Sequence, residues 1–463
     1  MGSLLIKNGT VVTMGKLGIV DPGAVFIKDT QIENVGSNGR MVRKYSNEAD
    51  RTIDAAGKIV MPGLIDSHFH TCQQGLRGAF GKIRQLGLTR YPGWKWFLIP
   101  WEARLSAEDV YLSALQAYAN MVRVGTTFVS EHGGRHPVQL ARALETVGIR
   151  GLVAISTMDM DTGAPELPGN MLFTTEEAIK KNLEVVSHWP FRGDGLAKGV
   201  FSLRQIIVCT PKLIETIVGL AEERDTMVQT HANEGYYEIY HALEKHSCRP
   251  VEYLASIGGL SSRIIAAHSV YMSDKEVELF AGCGVGVAHC PRGNWSMGRP
   301  KLPLMQRLGI KMGIGSDGAT GGTIDLFEKM RISLVAQASH YGAPYIDRGA
   351  ASAQHVLEMA TIGGAHVVGL ENEIGSLEAG KRADLIILDT TSLDAQPSSD
   401  PIFTIVNCLS GRDVETVVVN GQVVMENGTI LTVDEEGLKE EVAIRMPALQ
   451  KAFIEERKKH IKG

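Results

Sequence analysis

The sequence predicts a (β/α)8 barrel of the TIM type carrying a small β-sandwich built from both ends of the chain, and three observations predict it. Eight short apolar runs recur between residues 63 and 317, most of them followed by a segment of helical period. Each run ends in residues of the types that bind metals or move protons. Both termini are written in short β segments broken by Gly, Asn and Asp.

The first sixty residues read as LLIKNGTVVTM, AVFIKDTQIENVG and RTIDAAGKIVMPG, half of a small β unit. The same style returns in IGSLEAGKRADLIILD and VETVVVNGQVVMENGTILT, where Asn-Gly at 420 and at 427 signals tight turns. Residues 1–61 and 371–433 are therefore expected to share one sandwich, with a barrel over 62–370 inserted between them. The charged stretch 434–463 reads as a surface helix.

The eight runs are GLIDSH from Gly63, TTFVSE from Thr126, GLVAIS from Gly151, VFSLRQ from Val200, TMVQTH from Thr226, RIIAAH from Arg263, GVGVAHC from Gly284 and KMGIGSD from Lys311. Helical segments such as SAEDVYLSALQAYANMVRVG and SDKEVELFAGCG open with a Ser suited to capping the first turn. An open doubly wound sheet is the rival. The run endings favour the barrel: His68 and His70, Glu131 and His132, Asp159, Arg204 and Gln205, His231, His268, His289 and Asp317. In a barrel all of these face one mouth, and six of the fourteen histidines fall there, more than scatter explains.

Composition narrows the function. A formal charge of -5 provides no basic field for nucleic acid or anionic lipid. No apolar run approaches the roughly 20 residues that span a bilayer, and the start lacks the regions of a signal peptide. A cytoplasmic enzyme is expected, acting on a small molecule, with neither nucleic acid nor membrane as partner, and assembling as a homo-oligomer, a dimer or higher. The six cysteines are widely spaced with no CxxC pair, as suits reduced thiols.

His68 and His70 sit two apart at the end of the first run, so a strand presents both imidazoles on one side. With a third imidazole at His231 and a carboxylate at Asp317 they make a three-nitrogen, one-oxygen set suited to one divalent ion, zinc first, with iron, manganese and nickel as the others. Asp317 is also placed to hold a proton from the water that such an ion activates. Glu234 follows His231 by three positions, and a helical turn there puts the two on one face. A carboxylic acid at that place protonates a ring nitrogen and then the departing amine. His268 orients the attacking water and stabilises charge on the tetrahedral intermediate.

The run MPGLIDSHFHTCQQGLRG, HANE at 231, AAHS around 268, VAHCP around 289 and GIGSDG around 317 resemble the amidohydrolase superfamily, and within it the branch of cytosine, guanine and S-adenosylhomocysteine deaminases and triazine hydrolases. The resemblance extends over nearly the whole chain. It implies a distorted barrel with a flanking β-sandwich, a mononuclear metal on His68, His70, His231 and Asp317, and catalytic roles for Glu234 and His268. Two-metal members of the superfamily bridge their ions with a lysine on the fourth strand, where this chain has Arg204 and Gln205. Glu102 matches a position that contacts ribose in that branch. After His289, Cys290, Pro291 and Asn294 are kept, but the text then departs from the branch as WSMGRPKLPLM.

The expected reaction is hydrolytic deamination of an aminated purine, pterin, pyrimidine or triazine. Removal of chloride or alkylamine from a triazine, or opening of a cyclic amide, is the alternative. An inert scaffold is a third reading, but its mark, loss of a ligand, is missing. Expected substrate contacts are Gln73, Arg77, Trp101, Glu102, Arg204, Gln205, His289 and Asn294, with Trp94 and Trp96 as further rings able to cover a flat heterocycle.

Overall fold

In a computed structural model of the chain, residues 2–87, 91–163, 166–318, 322–347 and 349–462 are described. The N-terminal segment forms β1 (Ser3–Val12), β2 (Ile19–Lys28), β3 (Gln31–Ser37), β4 (Arg51–Asp54) and β5 (Lys58–Pro62). Barrel strands follow: β6 (Leu64–His70), β7 (Thr126–Glu131), β8 (Arg150–Val153), β9 (Ala197–Gly199), β10 (Phe201–Ser202), β11 (Val228–Ala232), β12 (Ile264–His268), β13 (Gly286–His289), β14 (Met312–Ile314) and β15 (Asp317–Gly318). The chain ends with β16 (Leu385–Asp389), β17 (Val414–Val419), β18 (Gln422–Glu426), β19 (Thr429–Ile430) and a helix over Glu435–Lys462.

The barrel strands pair in parallel as two ladders, β15-β6-β7-β8-β9 and β10-β11-β12-β13-β14. β9 and β10 are successive pieces of one strand, interrupted at Val200, and β14 and β15 are likewise pieces of another. Each broken strand serves one ladder with its first half and the other with its second, so the two ladders follow one another in the strand order of an eight-stranded barrel. All eight apolar runs are strands of this ring. Both Ser caps form capping boxes, Ser106 with Asp109 and Ser273 with Glu276.

Strands from the two chain ends hydrogen-bond in one nine-stranded sheet. β5 and β16 run antiparallel at its join, pairing Val60 with Ile387, and Leu4, Ile6, Val25, Val60, Leu385 and Val418 bury one face. Asn420 and Gly421 both have positive φ, 51° and 77°, as a tight β17–β18 turn needs. The helix over Glu435–Lys462 is not wholly a surface element. It buries Met446, Phe453 and Ile454, and the Phe453 ring meets Trp101 edge-on at 5.5 Å. Among the described residues all six cysteines are free thiols, and no helix is long and apolar enough to cross a membrane.

Candidate active site and metal centre

At the carboxyl end of β6 the pleat turns His68 and His70 to the same side, and both are buried. His231, at the end of β11, comes within 3.1 Å of His70, Nε2 to Nε2, with the two rings stacked. Asp317 Oδ1 lies 3.8 Å from His68 Nε2 and 3.9 Å from His70 Nε2. Gly315 makes this approach feasible, because a Cβ there would sit 2.9 Å from the His68 Cβ and carbonyl oxygen. Ligand atoms of His68, His70 and His231 lie within 4.8 Å of one another, and so do those of His68, His268 and Asp317.

Burial holds the imidazoles of His68, His70 and His231 well below the usual histidine pKa, so they are neutral and keep a lone pair. The Nδ1 of His231 meets the Arg204 carbonyl at 2.8 Å, so Nδ1 carries the hydrogen and Nε2 faces the cluster. His268 is set in the same way, Nδ1 donating to Asn294 Oδ1 at 3.0 Å. His68 Nε2 is buried with no hydrogen-bond partner among the described residues. Neutral, oriented imidazoles with an unpartnered nitrogen beside a carboxylate fit a divalent metal ion.

Backbone strain is concentrated here. His268, Ser269, Asp317 and Asn233 have φ of 73°, 51°, 64° and 49°, a region that non-glycine residues seldom adopt. Asn233 explains how Glu234 reaches the pocket. The chain after β11 is not helical, as the sequence reading required; it turns through Asn233, whose side chain donates to Glu276 Oε1, and the helix Tyr236–His246 begins only after Gly235.

The cluster opens into a pocket of about 40 Å³ lined by His70, Gln73, Trp94, Leu98, Arg204, Gln205, His231, Glu234, His268 and Asp317. Larger concavities exist, one of about 590 Å³ near Trp96 and Pro168, but converging donors rather than size identify the site. Glu234 Oε2 accepts from the Tyr237 hydroxyl at 2.7 Å and from Gln205 Nε2 at 3.2 Å. Behind them Glu238 is fully buried, and burial pushes its carboxyl up to about 8 despite hydrogen bonds from the Asn233 and Glu234 backbone. At neutral pH Glu238 is therefore protonated.

The sequence profile of the amidohydrolase family matches residues 59–424. The chain belongs to the amidohydrolase family. It is 31% identical over 434 residues to a 5'-deoxyadenosine deaminase of Methanobrevibacter smithii, covering 93% of this chain and 94% of that one. It is 30% identical over 436 residues to a 5-methylthioadenosine/S-adenosylhomocysteine deaminase of Desulforudis audaxviator, covering 94% and 96%. Among solved structures, an adenosine deaminase from Xanthomonas campestris with bound zinc superposes with a TM-score of 0.85 at 25% identity over 97% of this chain and 99% of that one. A zinc complex of the atrazine chlorohydrolase of Arthrobacter aurescens, 24% identical with a TM-score of 0.81 over 96% and 100%, shares the fold.

In this amidohydrolase, Gln73, Arg204 and Gln205 line the pocket with three of the four metal-ligand candidates, His70, His231 and Asp317, and with Glu234 and His268. Glu102 lies one layer behind, accepting from Gln73 Nε2 at 2.9 Å and standing 3.7 Å from Arg204 Nη1. Asn294 and His289 also stand behind the wall: Asn294 Nδ2 donates to the His268 carbonyl and to His289 Nδ1, each at 2.9 Å, so the pair braces His268.

Two expected contacts fall elsewhere. Arg77 is exposed in a groove with Arg123 and Glu435, because the 3-10 turn Thr71–Leu76 carries the chain outward and Arg77 Nη2 donates to Gln74. Trp101 is a core residue whose indole donates to the Cys72 carbonyl at 2.8 Å. Trp94 takes the place at the pocket, 5.7 Å from the Arg204 guanidinium. Sequence reasoning missed Tyr237, Glu238 and Leu98. The acidic pair Glu234 and Glu238, one turn apart around two tyrosines, was the available signal.

Proposed function

We propose that this amidohydrolase hydrolytically deaminates an aminated N-heterocycle at one divalent metal ion, zinc by preference, held by His68, His70, His231 and Asp317. When bound, the ion supplies a water whose pKa is lowered from 15.7 to about 7. Asp317 takes up the proton that this water gives up. The water gives up its two protons one after the other through Asp317 to Glu234, which carries the first to a ring nitrogen and the second to the departing amine, which leaves as ammonia. His268, its Nδ1 bound to Asn294, keeps Nε2 for the attacking water and for charge on the reacting carbon's substituents.

The observation that carries this reading is that Glu234 lines the same small pocket as His70, His231 and Asp317, held there by Tyr237 and Gln205. The deaminase names of its relatives support it. The buried polar atoms around the pocket narrow the ring. Among the described residues Arg204 Nη1 is a donor with no hydrogen bond, only an ion pair with Glu102 at 3.7 Å, and Gln205 Oε1 and Gln73 Oε1 are acceptors with no hydrogen-bond partner. Gln205 cannot be flipped freely, since its Nε2 already faces Glu234, Tyr237 and Glu238. A ring with an oxo group beside an N–H, as in guanine-like purines, pterins or cytosine, satisfies both signs at once.

A nucleoside is the second reading. A concavity of about 780 Å³ beyond Tyr237, lined also by Lys95, Ile206 and Tyr240, has room for a sugar or longer substituent. The protein is further proposed to be cytoplasmic and to assemble as a homodimer. A screen of oxo-bearing amino heterocycles, adenosine-type nucleosides and chloro- or aminotriazines, reading released ammonia with products identified by mass, tests the proposal. Release of ammonia from none of them sinks it, and turnover of nucleosides alone decides for the second reading.

A further inference from the structure

Trp94, Gln205 and Glu234 converge on one phenol oxygen. The Trp94 indole Nε1 donates to the Tyr237 hydroxyl at 3.0 Å, and Gln205 Nε2 donates to the same oxygen at 3.1 Å. An indole N–H and an amide NH2 only donate, so neither can take the phenol proton. The one phenol proton is left for Glu234 Oε2, 2.7 Å away. Both contacts to Glu234 fall on Oε2, and Oε1 carries neither.

The pocket lined by Trp94 and Glu234 measures about 40 Å³. That is space on the scale of one or two waters, far below the roughly 300 Å³ or more of a ligand site. A flat heterocycle enters only if a wall moves. Most of the wall sits on strand ends or the turns directly after them, whereas Trp94 and Leu98 belong to the separate short segment Trp94–Leu98. Pro92 and Lys95 of the same stretch line the large outer concavity together with Tyr237. Trp94 thus lines the inner pocket while its hydrogen-bond partner Tyr237 lines the outer concavity.

We infer that Tyr237 is a positioning residue that couples closure of Trp94 over the pocket to the aim of Glu234. The inference rests on the proposed role of Glu234 as the proton carrier. With Trp94 seated, the phenol rotor has one orientation and points its proton at Glu234. With Trp94 withdrawn to admit substrate, one lone pair is freed and the rotor loses that constraint. Glu234 is thus held in place when the pocket is shut and water is excluded.

The test is a double-mutant cycle on the full-length, metal-loaded protein, using whichever heterocycle the wild type turns over. Tyr237→Phe should lower kcat roughly tenfold to a hundredfold, the scale of one strong side-chain hydrogen bond, with KM within about threefold and metal content unchanged. Trp94→Phe keeps the apolar ring, removes the N–H and should lower kcat by a smaller factor. The double variant should be no slower than Tyr237→Phe, because the Trp94 effect passes through the phenol. Losses that multiply overturn the coupling, and a wild-type kcat in Tyr237→Phe overturns the positioning role. Hydrogen exchange over 94–98 should quicken in Tyr237→Phe, and an unchanged rate overturns the latch without reference to turnover. Failure of the deamination reading is recognisable separately, as a wild type that releases no ammonia.

Discussion

Two buried polar clusters lie at opposite ends of the barrel strands, and they are built on opposite rules. At the start of β8, Arg150 meets Asp384 through Nε at 3.0 Å and Nη2 at 3.3 Å, and Nη2 also donates to Asn420. Asp384 in turn accepts from the Asn420 backbone at 2.7 Å. Those partners join the barrel to the terminal sheet, and only Nη1 of Arg150 is left over. At the carboxyl end, His68 Nε2, His70 Nδ1, Gln73 Oε1 and Gln205 Oε1 are buried with no hydrogen-bond partner among the described residues, and Glu102 Oε2 and Arg204 Nη1 have only their ion pair at 3.7 Å. Bare donors and acceptors converging on a pocket are suited to a ligand, whereas a saturated cluster is suited to holding the fold together.

Breaking the open cluster should therefore abolish chemistry more than stability. His68→Ala is expected to lose the metal and lower activity roughly a thousandfold or more, while the metal-free protein unfolds at a denaturant concentration close to that of the metal-free wild type. Retained metal with normal turnover would place the centre elsewhere. Next in size is the converse change at the closed cluster. Arg150→Met leaves Asp384 buried and unpaired, and equilibrium unfolding should show a loss of about 3–5 kcal/mol with kcat at low temperature unchanged. A large fall in kcat there would erase the contrast between the two ends.

Glu234→Gln sharpens the comparison inside the open cluster. Metal should stay bound while turnover of an amino heterocycle falls about a hundredfold or more, the scale of general acid and base catalysis. The loss should be smaller for the chloro version of the same ring, whose leaving group needs no proton. Equal losses on both would reduce Glu234 to a substrate contact.

The smallest effect is a pH dependence. Burial raises the Glu238 carboxyl from 4.5 to about 8. Between those values the unfolded chain ionises this group while the folded chain keeps its proton, so Glu238 lowers stability progressively as pH rises across that window and costs nothing below it. Glu238→Gln keeps an acceptor for the Glu234 N–H and cannot ionise. Melts of the metal-free protein should show the variant gaining about 1 kcal/mol or more over wild type near pH 8 and little near pH 5. A gain of equal size at both would assign it to packing instead.

Much of the frame was legible because it is periodic. Strand exits were readable at His68, His70, His231, His268 and Asp317, since apolar runs of strand length end where the loops begin. The wall of the pocket was less so. Trp94, Trp96 and Trp101 fall within eight residues, and nothing in their spacing tells which one faces the mouth; the turn after β6 and the packing of Phe453 make Trp101 a core residue and leave Trp94 at the pocket. Arg77 was misplaced for a related reason, as one 3-10 turn rotates it to the outside.

By itself the sequence determined the barrel, the order of its strands and the donors at their exits, because strand periodicity and residue chemistry are local properties. Only the tertiary structure decided which of those donors stand bare and which are braced. Asn294 and His289 became supports of His268, Glu102 a partner of Gln73 and Arg204, and Tyr237 the hub between Trp94 and Glu234. Hydrogen-bond saturation depends on neighbours distant in the chain: Trp94 and Tyr237 are 143 residues apart. That separation leaves no mark in any local pattern, whereas one shared oxygen atom fixes the roles of both.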